Sequence, residues 1–129
     1  MAEKKRRSRL EDKFESILKE ELAEYDYEST KLKYTIPASN HVYNVDWTLG
    51  NGILVETKGR LMDYAERQKY ILVKEQHPEV DLRFVFVDNN KLVGGLKSTH
   101  ADWAKKNGFT YCDIKDLTTI SKWIKEESK

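Results

Sequence analysis

The stretch VDWTLGNGILVETKG, Val45 to Gly59, limits the possible folds more than any other, because two alternating β-prone segments flank a Gly-Asn-Gly turn. Taking Gly50, Asn51 and Gly52 as a three-residue hairpin loop pairs Leu49 with Ile53, Thr48 with Leu54, Trp47 with Val55 and Asp46 with Glu56. Two carboxylates then face each other. Opposed side chains have Cβ atoms about 4.5–5.5 Å apart, and like charges there destabilise the pair unless something neutralises them. Strand alternation puts Lys58 on the face of Glu56, roughly 6–7 Å further along, while Ile53, Val55 and Thr57 point the other way, into a core. A divalent cation would neutralise the carboxylates, and hard oxygen ligands beside a lysine suit metal-assisted phosphodiester hydrolysis. Lys58 could orient or deprotonate the attacking water, or stabilise the transition state. The plainer reading is an exposed hairpin with a shifted register, in which Glu56 and Lys58 form a weak surface pair and Asp46 never meets Glu56. Spacing alone leaves both readings open. Carboxylate-x-lysine also occurs at Glu3, Glu11 and Asp113, but without the glycine turn and its upstream aspartate.

Around this stretch, Leu10, Phe14, Ile17, Leu18 and Leu22 have the spacing of one helical face, and Ser8 with Glu11 offers a capping box, so a helix is expected over 9–25. KLKYTIP, HVYNVDWTL and ILVETKG read as three strands. Between the first two, PASN fits a tight turn or an extended connection. Asp63 and Glu66 signal the start of a helix over 63–77, stopped by Pro78. DLRFVFVD reads as a buried strand and NNKLVGG as a turn with a short extended piece. Ser98 or Thr99 can cap a helix ending at Asn107 and Gly108, FTYCDI is a strand, and Leu117, Ile120 and Ile124 line a last helix. The order α, β, β, β, α, β, α, β, α predicts an α/β fold, a mixed sheet flanked by helices.

At 129 residues the chain is the size of one domain, 1–129, and residues 1–8 form a basic arm. Lys4, Lys5, Arg6, Arg7 and Arg9 crowd its start although the formal net charge is only +1, so the arm is either a phosphate contact or a solubilising tail. No apolar run spans a bilayer and no signal-peptide core follows the arm. Cys112 is the lone cysteine, which suits a reducing, intracellular setting. His41, His77 and His100 make no zinc spacing with it.

LEDK at 10–13, IPASNH at 36–41, the Asp46 strand, NGILVETKG at 51–59, EQHPEVDLRFVF at 75–86 and WIKE at 123–126 occur together and in order. In these words the chain resembles the bacteriophage endonuclease I family, Holliday-junction resolvases with a restriction-endonuclease-like fold. The resemblance covers most of the chain from Leu10 onward. It implies that Asp46, Glu56 and Lys58 form the nuclease triad, that Glu11 is a fourth catalytic residue near the metals, and that the Thr57 carbonyl is a further metal ligand. It implies two Mg²⁺ per site, with Mn²⁺ able to substitute, and a phage-encoded protein acting in the host cytoplasm. Family members are element-swapped homodimers, so the resemblance favours an extended segment around Tyr34 to Asn44 and places the helix-one glutamate with the partner's triad. Two sites related by a two-fold axis would match a four-way junction, read by shape and phosphate position. Val45 stands where the family commonly has proline, and Arg9 where a small residue is expected.

The expected activity is Mg²⁺-dependent, structure-selective cleavage of four-way junctions and other branched DNA, with no membrane partner. Glu11, Asp46 and Glu56 would hold metal, and Lys58 would act on the water or the transition state. Lys4, Lys5, Arg6, Arg7, Arg9 and Arg60 are the expected DNA contacts, joined by His41, Arg67 and Lys69. Two rivals are a nuclease using the same triad on duplex DNA, restriction-like or transposon-end, and a non-catalytic nucleic-acid-binding module.

Overall fold

The computed structural model describes residues 8–36, 39–59, 63–87 and 99–128. Lys4, Lys5, Arg6, Arg7 and Arg60, together with the expected turn and extended piece at NNKLVGG, lie outside the described residues.

Helix α1 spans Arg9–Glu20 and buries Leu10, Phe14 and Leu18, one residue per turn of a single face. The capping box is present: the Ser8 hydroxyl accepts from the Glu11 N–H at 3.0 Å, and the Glu11 carboxylate accepts from the Ser8 N–H at 3.3 Å. The helix stops five residues before the expected end. Leu22 takes a left-handed φ of 54° and donates its N–H to the Lys19 carbonyl, while the Ala23 N–H returns to Leu18. That pair of reversed bonds is the glycine-type helix stop, here built on leucine, and it leaves Leu22 91% exposed.

The strands are β1 (Tyr25–Tyr27), β2 (Lys31–Ile36), β3 (Ser39–Asn44), β4 (Trp47–Leu49), β5 (Leu54–Lys58), β6 (Leu82–Phe86) and β7 (Thr110–Asp113). Helix α2 covers Tyr64–Gln76, α3 His100–Lys106 and α4 Leu117–Lys125. Five strands form a mixed sheet in the order β1-β4-β5-β6-β7, antiparallel across β1, β4 and β5 and parallel across β5, β6 and β7. The parallel half follows from the two helical crossovers, α2 and α3, that join its strands. This is the expected mixed sheet flanked by helices, with two additions. Three-residue β1 is too short to show alternation in the sequence, and HVYNVDWTL divides at Val45 and Asp46 into β3 and β4.

One apolar cluster packs α1 and α4 on one face of the sheet through Phe14, Trp47, Val55, Val85 and Ile120. The other packs α2, α3 and the β2–β3 pair through Tyr43, Tyr70, Phe84 and Trp103. In the β4–β5 loop, Gly52 has a φ of 91°, and a side chain on Gly50 would meet the Cβ of Glu24 at 2.7 Å. The Asn51 side-chain amide donates to the carbonyls of Trp123 and Glu126 at 2.8 and 2.9 Å, so the loop caps the end of α4.

The extended reading of Tyr34 to Asn44 is not what this chain does. Strands β2 and β3 pair antiparallel from Lys31 with Asn44 to Ile36 with Ser39, so the segment folds back on itself within one chain; residues 37 and 38 lie outside the described residues. Folding back satisfies the backbone within the chain, and Gln76 fixes the outer edge, accepting from the Thr35 N–H at 2.8 Å and donating to its carbonyl at 2.9 Å.

Candidate active site

A cavity of about 650 Å³ opens at the carboxyl ends of the parallel strands, lined by Lys58 and Gly59 after β5, Val87 after β6, and Ile114 and Lys115 after β7. The N-terminal part of α1 closes its other side with Arg9, Glu11 and Lys13. Asp46, Glu56 and Thr57 complete the wall. Open parallel sheets present ligand sites at this end, because the loops diverge there. Four expected residues, Glu11, Asp46, Glu56 and Lys58, are thus brought together with Arg9.

The hairpin register holds as counted through Thr48 with Leu54 and Trp47 with Val55, and the Leu49 N–H bonds to the Ile53 carbonyl. It stops one pair short of the two carboxylates. Asp46 lies in a bend before β4, and its Oδ2 accepts from the Thr57 N–H at 3.1 Å and the Thr57 hydroxyl at 2.9 Å. Direct opposition of Asp46 and Glu56 is therefore replaced by a contact one residue further along β5. Thr57 is buried as expected, but its side chain serves the site rather than the apolar core. Strict alternation ends where the ladder ends, which is why the count failed at Asp46.

The two faces of β5 supply different chemistry to one cavity. On the α1 face, carboxylate oxygens of Glu11, Glu28 and Asp46 lie within 4.8 Å of one another. Glu28 was not foreseen. It follows β1 with a left-handed φ of 52°, and its N–H donates to the Asp46 carbonyl at 2.9 Å, which brings its carboxylate back over the site. Burial, then the Glu56 carboxylate, push Asp46 up to about 8 against the opposing bonds from Thr57. Three clustered carboxylates, one of them held largely protonated by its surroundings, fit a hard divalent cation, which removes that repulsion on binding. Glu11 takes part while also closing the α1 cap, so the two roles coexist.

On the α2 face, Glu56 is 5% exposed and accepts from the hydroxyls of Tyr43 and Tyr70. Burial raises its pKa, opposed by Lys58 and by the tyrosine bonds. Lys58 reaches Glu66 of α2 at 2.7 Å and Glu56 at 3.8 Å. Tyr43, Glu66 and Tyr70 were missed because nothing local in the sequence links them to β5. The four-residue spacing of Glu66 and Tyr70 is the one signal that was available.

The expected DNA contacts divide. Arg9 lines the cavity, as do Lys13 and Lys115, which the sequence reading passed over. His41 lies on β3 with its ring stacked on Tyr34 at 5.4 Å, in a groove lined by residues of β2 and β3. Arg67 sits 5.9 Å from the Tyr64 ring. Lys69 packs 5.1 and 4.8 Å from the Tyr43 and Tyr70 rings, and burial lowers its pKa against the pull of Glu56, so it is a half-buried neighbour of that carboxylate.

The family model described as phage endonuclease I matches residues 2–129. Endonuclease I of Escherichia phage T7 is 42% identical over 124 residues, 95% of this chain and 80% of that protein. Endodeoxyribonuclease 1 of Enterobacteria phage T3 is 43% identical over 108 residues, covering 83% and 70%. Among solved structures, protein VC1899 from Vibrio cholerae aligns with a TM-score of 0.52 at 15% identity. That alignment covers 90% of this chain but only 32% of the other, and it is a likeness of fold alone.

Proposed function

The chain belongs to the phage endonuclease I family and is accordingly an endodeoxyribonuclease, and from that premise we propose that it is a Mg²⁺-dependent, structure-selective enzyme resolving four-way and other branched DNA. The observation that carries this reading is the meeting of Glu11, Asp46, Glu56 and Lys58 around one cavity at the carboxyl end of β5, with the Glu28 carboxylate beside Glu11 and Asp46. The reaction is attack of water on a phosphodiester phosphorus with departure of a sugar oxygen. Glu11, Asp46 and Glu56 hold the metal, with Glu28 and the Thr57 carbonyl as further oxygen donors; the site takes two Mg²⁺ and accepts Mn²⁺ in their place. When bound, the metal supplies Lewis-acid polarisation of the phosphate and of the water. Lys58 places positive charge beside the reacting phosphate, where charge develops in the transition state.

Arg9, Lys13 and Lys115 at the cavity rim seat the flanking phosphates. Lys4, Lys5, Arg6, Arg7 and Arg60 supply further positive charge for the phosphates of a branch. The working form is a homodimer, because a four-way junction is nearly two-fold symmetric and requires paired cuts. Within one chain Glu11 lies with Glu28 and Asp46, which supports an acidic cluster that a protomer can assemble without helix α1 of its partner. Among the described residues no helix is long and apolar enough to cross a membrane, and DNA is the proposed partner.

Cleavage of an end-labelled four-way junction tests the proposal. Binding in both Ca²⁺ and Mg²⁺, with cutting only in Mg²⁺ and loss of cutting in Glu56→Ala, is the expected result. Equal rates on the junction and on its component duplexes would overturn the junction assignment.

A further inference from the structure

Lys58 and Glu56 are two residues apart on β5, a rise of about 6.6 Å on one face. Glu66 and Tyr70 are four apart on α2, a rise of about 6 Å, also on one face. The two spacings match, and the side chains meet in pairs. The Tyr70 hydroxyl donates to Glu56 Oε2 at 3.1 Å, and Lys58 Nζ donates to Glu66 Oε2 at 2.7 Å. Tyr70 is fully buried, and the Lys58 and Glu66 side chains are 13% and 20% exposed, so both contacts are shielded from bulk water. The Tyr43 hydroxyl from β3 takes the other oxygen of Glu56.

Lys58 has a second carboxylate within reach, since its Nζ lies 3.8 Å from the same Glu56 Oε2 that Tyr70 holds. Were Glu66 neutral, Glu56 would be the carboxylate left beside that ammonium among the described residues, and the 3.8 Å ion pair could close to a direct hydrogen bond on the oxygen a cation needs. From this geometry we propose that Glu66 and Tyr70 of α2 are positioning residues: Tyr70 fixes the plane of the Glu56 carboxylate, and Glu66 holds Lys58 away from it. The helix thereby keeps an anion and a cation of opposite duties separate at close range. This rests on Glu56 being a metal ligand, as proposed above.

The test is Mn²⁺ binding to the full chain without DNA, read as free Mn²⁺ by electron paramagnetic resonance, with thermal melting as the check on folding. Removing a partner that orients a ligand typically weakens metal binding about 10–100-fold. Tyr70→Phe and Glu66→Gln are each expected to weaken Mn²⁺ binding about tenfold, at the low end of that range. Adding Lys58→Met to Glu66→Gln restores affinity, because the competing ammonium is gone, although cleavage stays low. An ion pair that merely stabilises the fold would lower the melting temperature of Glu66→Gln and leave its Mn²⁺ affinity at the wild-type value. That outcome, or a double variant binding as weakly as Glu66→Gln alone, overturns the proposal. Glu56→Ala separates the two layers. If it binds Mn²⁺ like wild type, the ligand assignment itself fails; if it loses Mn²⁺ while the α2 variants do not, only the α2 assignment fails.

Discussion

Thr57 gives both its main-chain N–H and its hydroxyl to a single oxygen of Asp46, Oδ2, at 3.1 and 2.9 Å. The pair leaves Oδ1 as the oxygen free of Thr57 and sets the direction in which it points. Thr57→Val keeps the shape and the N–H but removes one donor. A weakened Mn²⁺ affinity, by about tenfold, is expected in the valine variant and not in Thr57→Ser, which retains the hydroxyl. Direct titration of the two proteins with Mn²⁺ checks this.

Asp46 also makes the metal-free protein sensitive to pH. Burial and the Glu56 carboxylate raise it from the ordinary 3.8 to about 8, so the fold favours the protonated acid. Stability from this group is fully present below about pH 4 and is lost as pH rises towards and through about 8. Denaturant midpoints in EDTA should therefore fall between pH 5 and pH 8.5, and Glu56, shifted the same way, adds to the decline. Excess Mg²⁺ should oppose the fall, since it binds the deprotonated carboxylates. A midpoint in EDTA that rises over this range would contradict the assignment.

Glu28 carries a two-sided expectation. Its carboxylate crowds Glu11 and Asp46, so Glu28→Gln should leave the metal-free melting temperature unchanged or slightly higher. The rise in melting temperature produced by Mn²⁺ should shrink in the same variant. A scanning melt with and without the ion measures both quantities on one sample.

Leu22 is an independent stability probe, remote from chemistry. A left-handed leucine costs about 1–2 kcal/mol, and glycine gives back about 0.4–1 kcal/mol through the freer unfolded chain. Leu22→Gly should therefore stabilise by roughly 0.5–1 kcal/mol, read as a shifted urea midpoint with unchanged slope.

The sequence was most informative where period and punctuation are local. Leu10, Phe14 and Leu18 announced α1, Asp63 and Pro78 bounded α2, and the Gly50–Gly52 loop set the β4–β5 register as far as Trp47. It was least informative where one residue's backbone decides. The left-handed turn at Leu22 ended α1 early, and leucine gives no warning of it. The bend at Asp46 broke the alternation on which its opposition to Glu56 had been counted. Glu28, Tyr43, Glu66 and Tyr70 come from three separate elements, or the turn after one of them, so only the folded chain brings them to the site. Family words quoted from the sequence carried Glu11, whose local spacing suggested only a helix cap.

The amide of Gln76, bound to both the N–H and the carbonyl of Thr35, acts as a parity check on the hairpin. Along a strand, successive residues turn these groups to opposite edges, so Gln76 can recognise Thr35 but neither Tyr34 nor Ile36. A slip of β2 by one residue would lose both bonds at once. Since β2 fixes its partner strand, with Leu32 opposite Tyr43, the same check decides whether a tyrosine hydroxyl or an asparagine reaches Glu56. A glutamine at the far end of α2 thus proofreads the placement of a carboxylate that it does not touch.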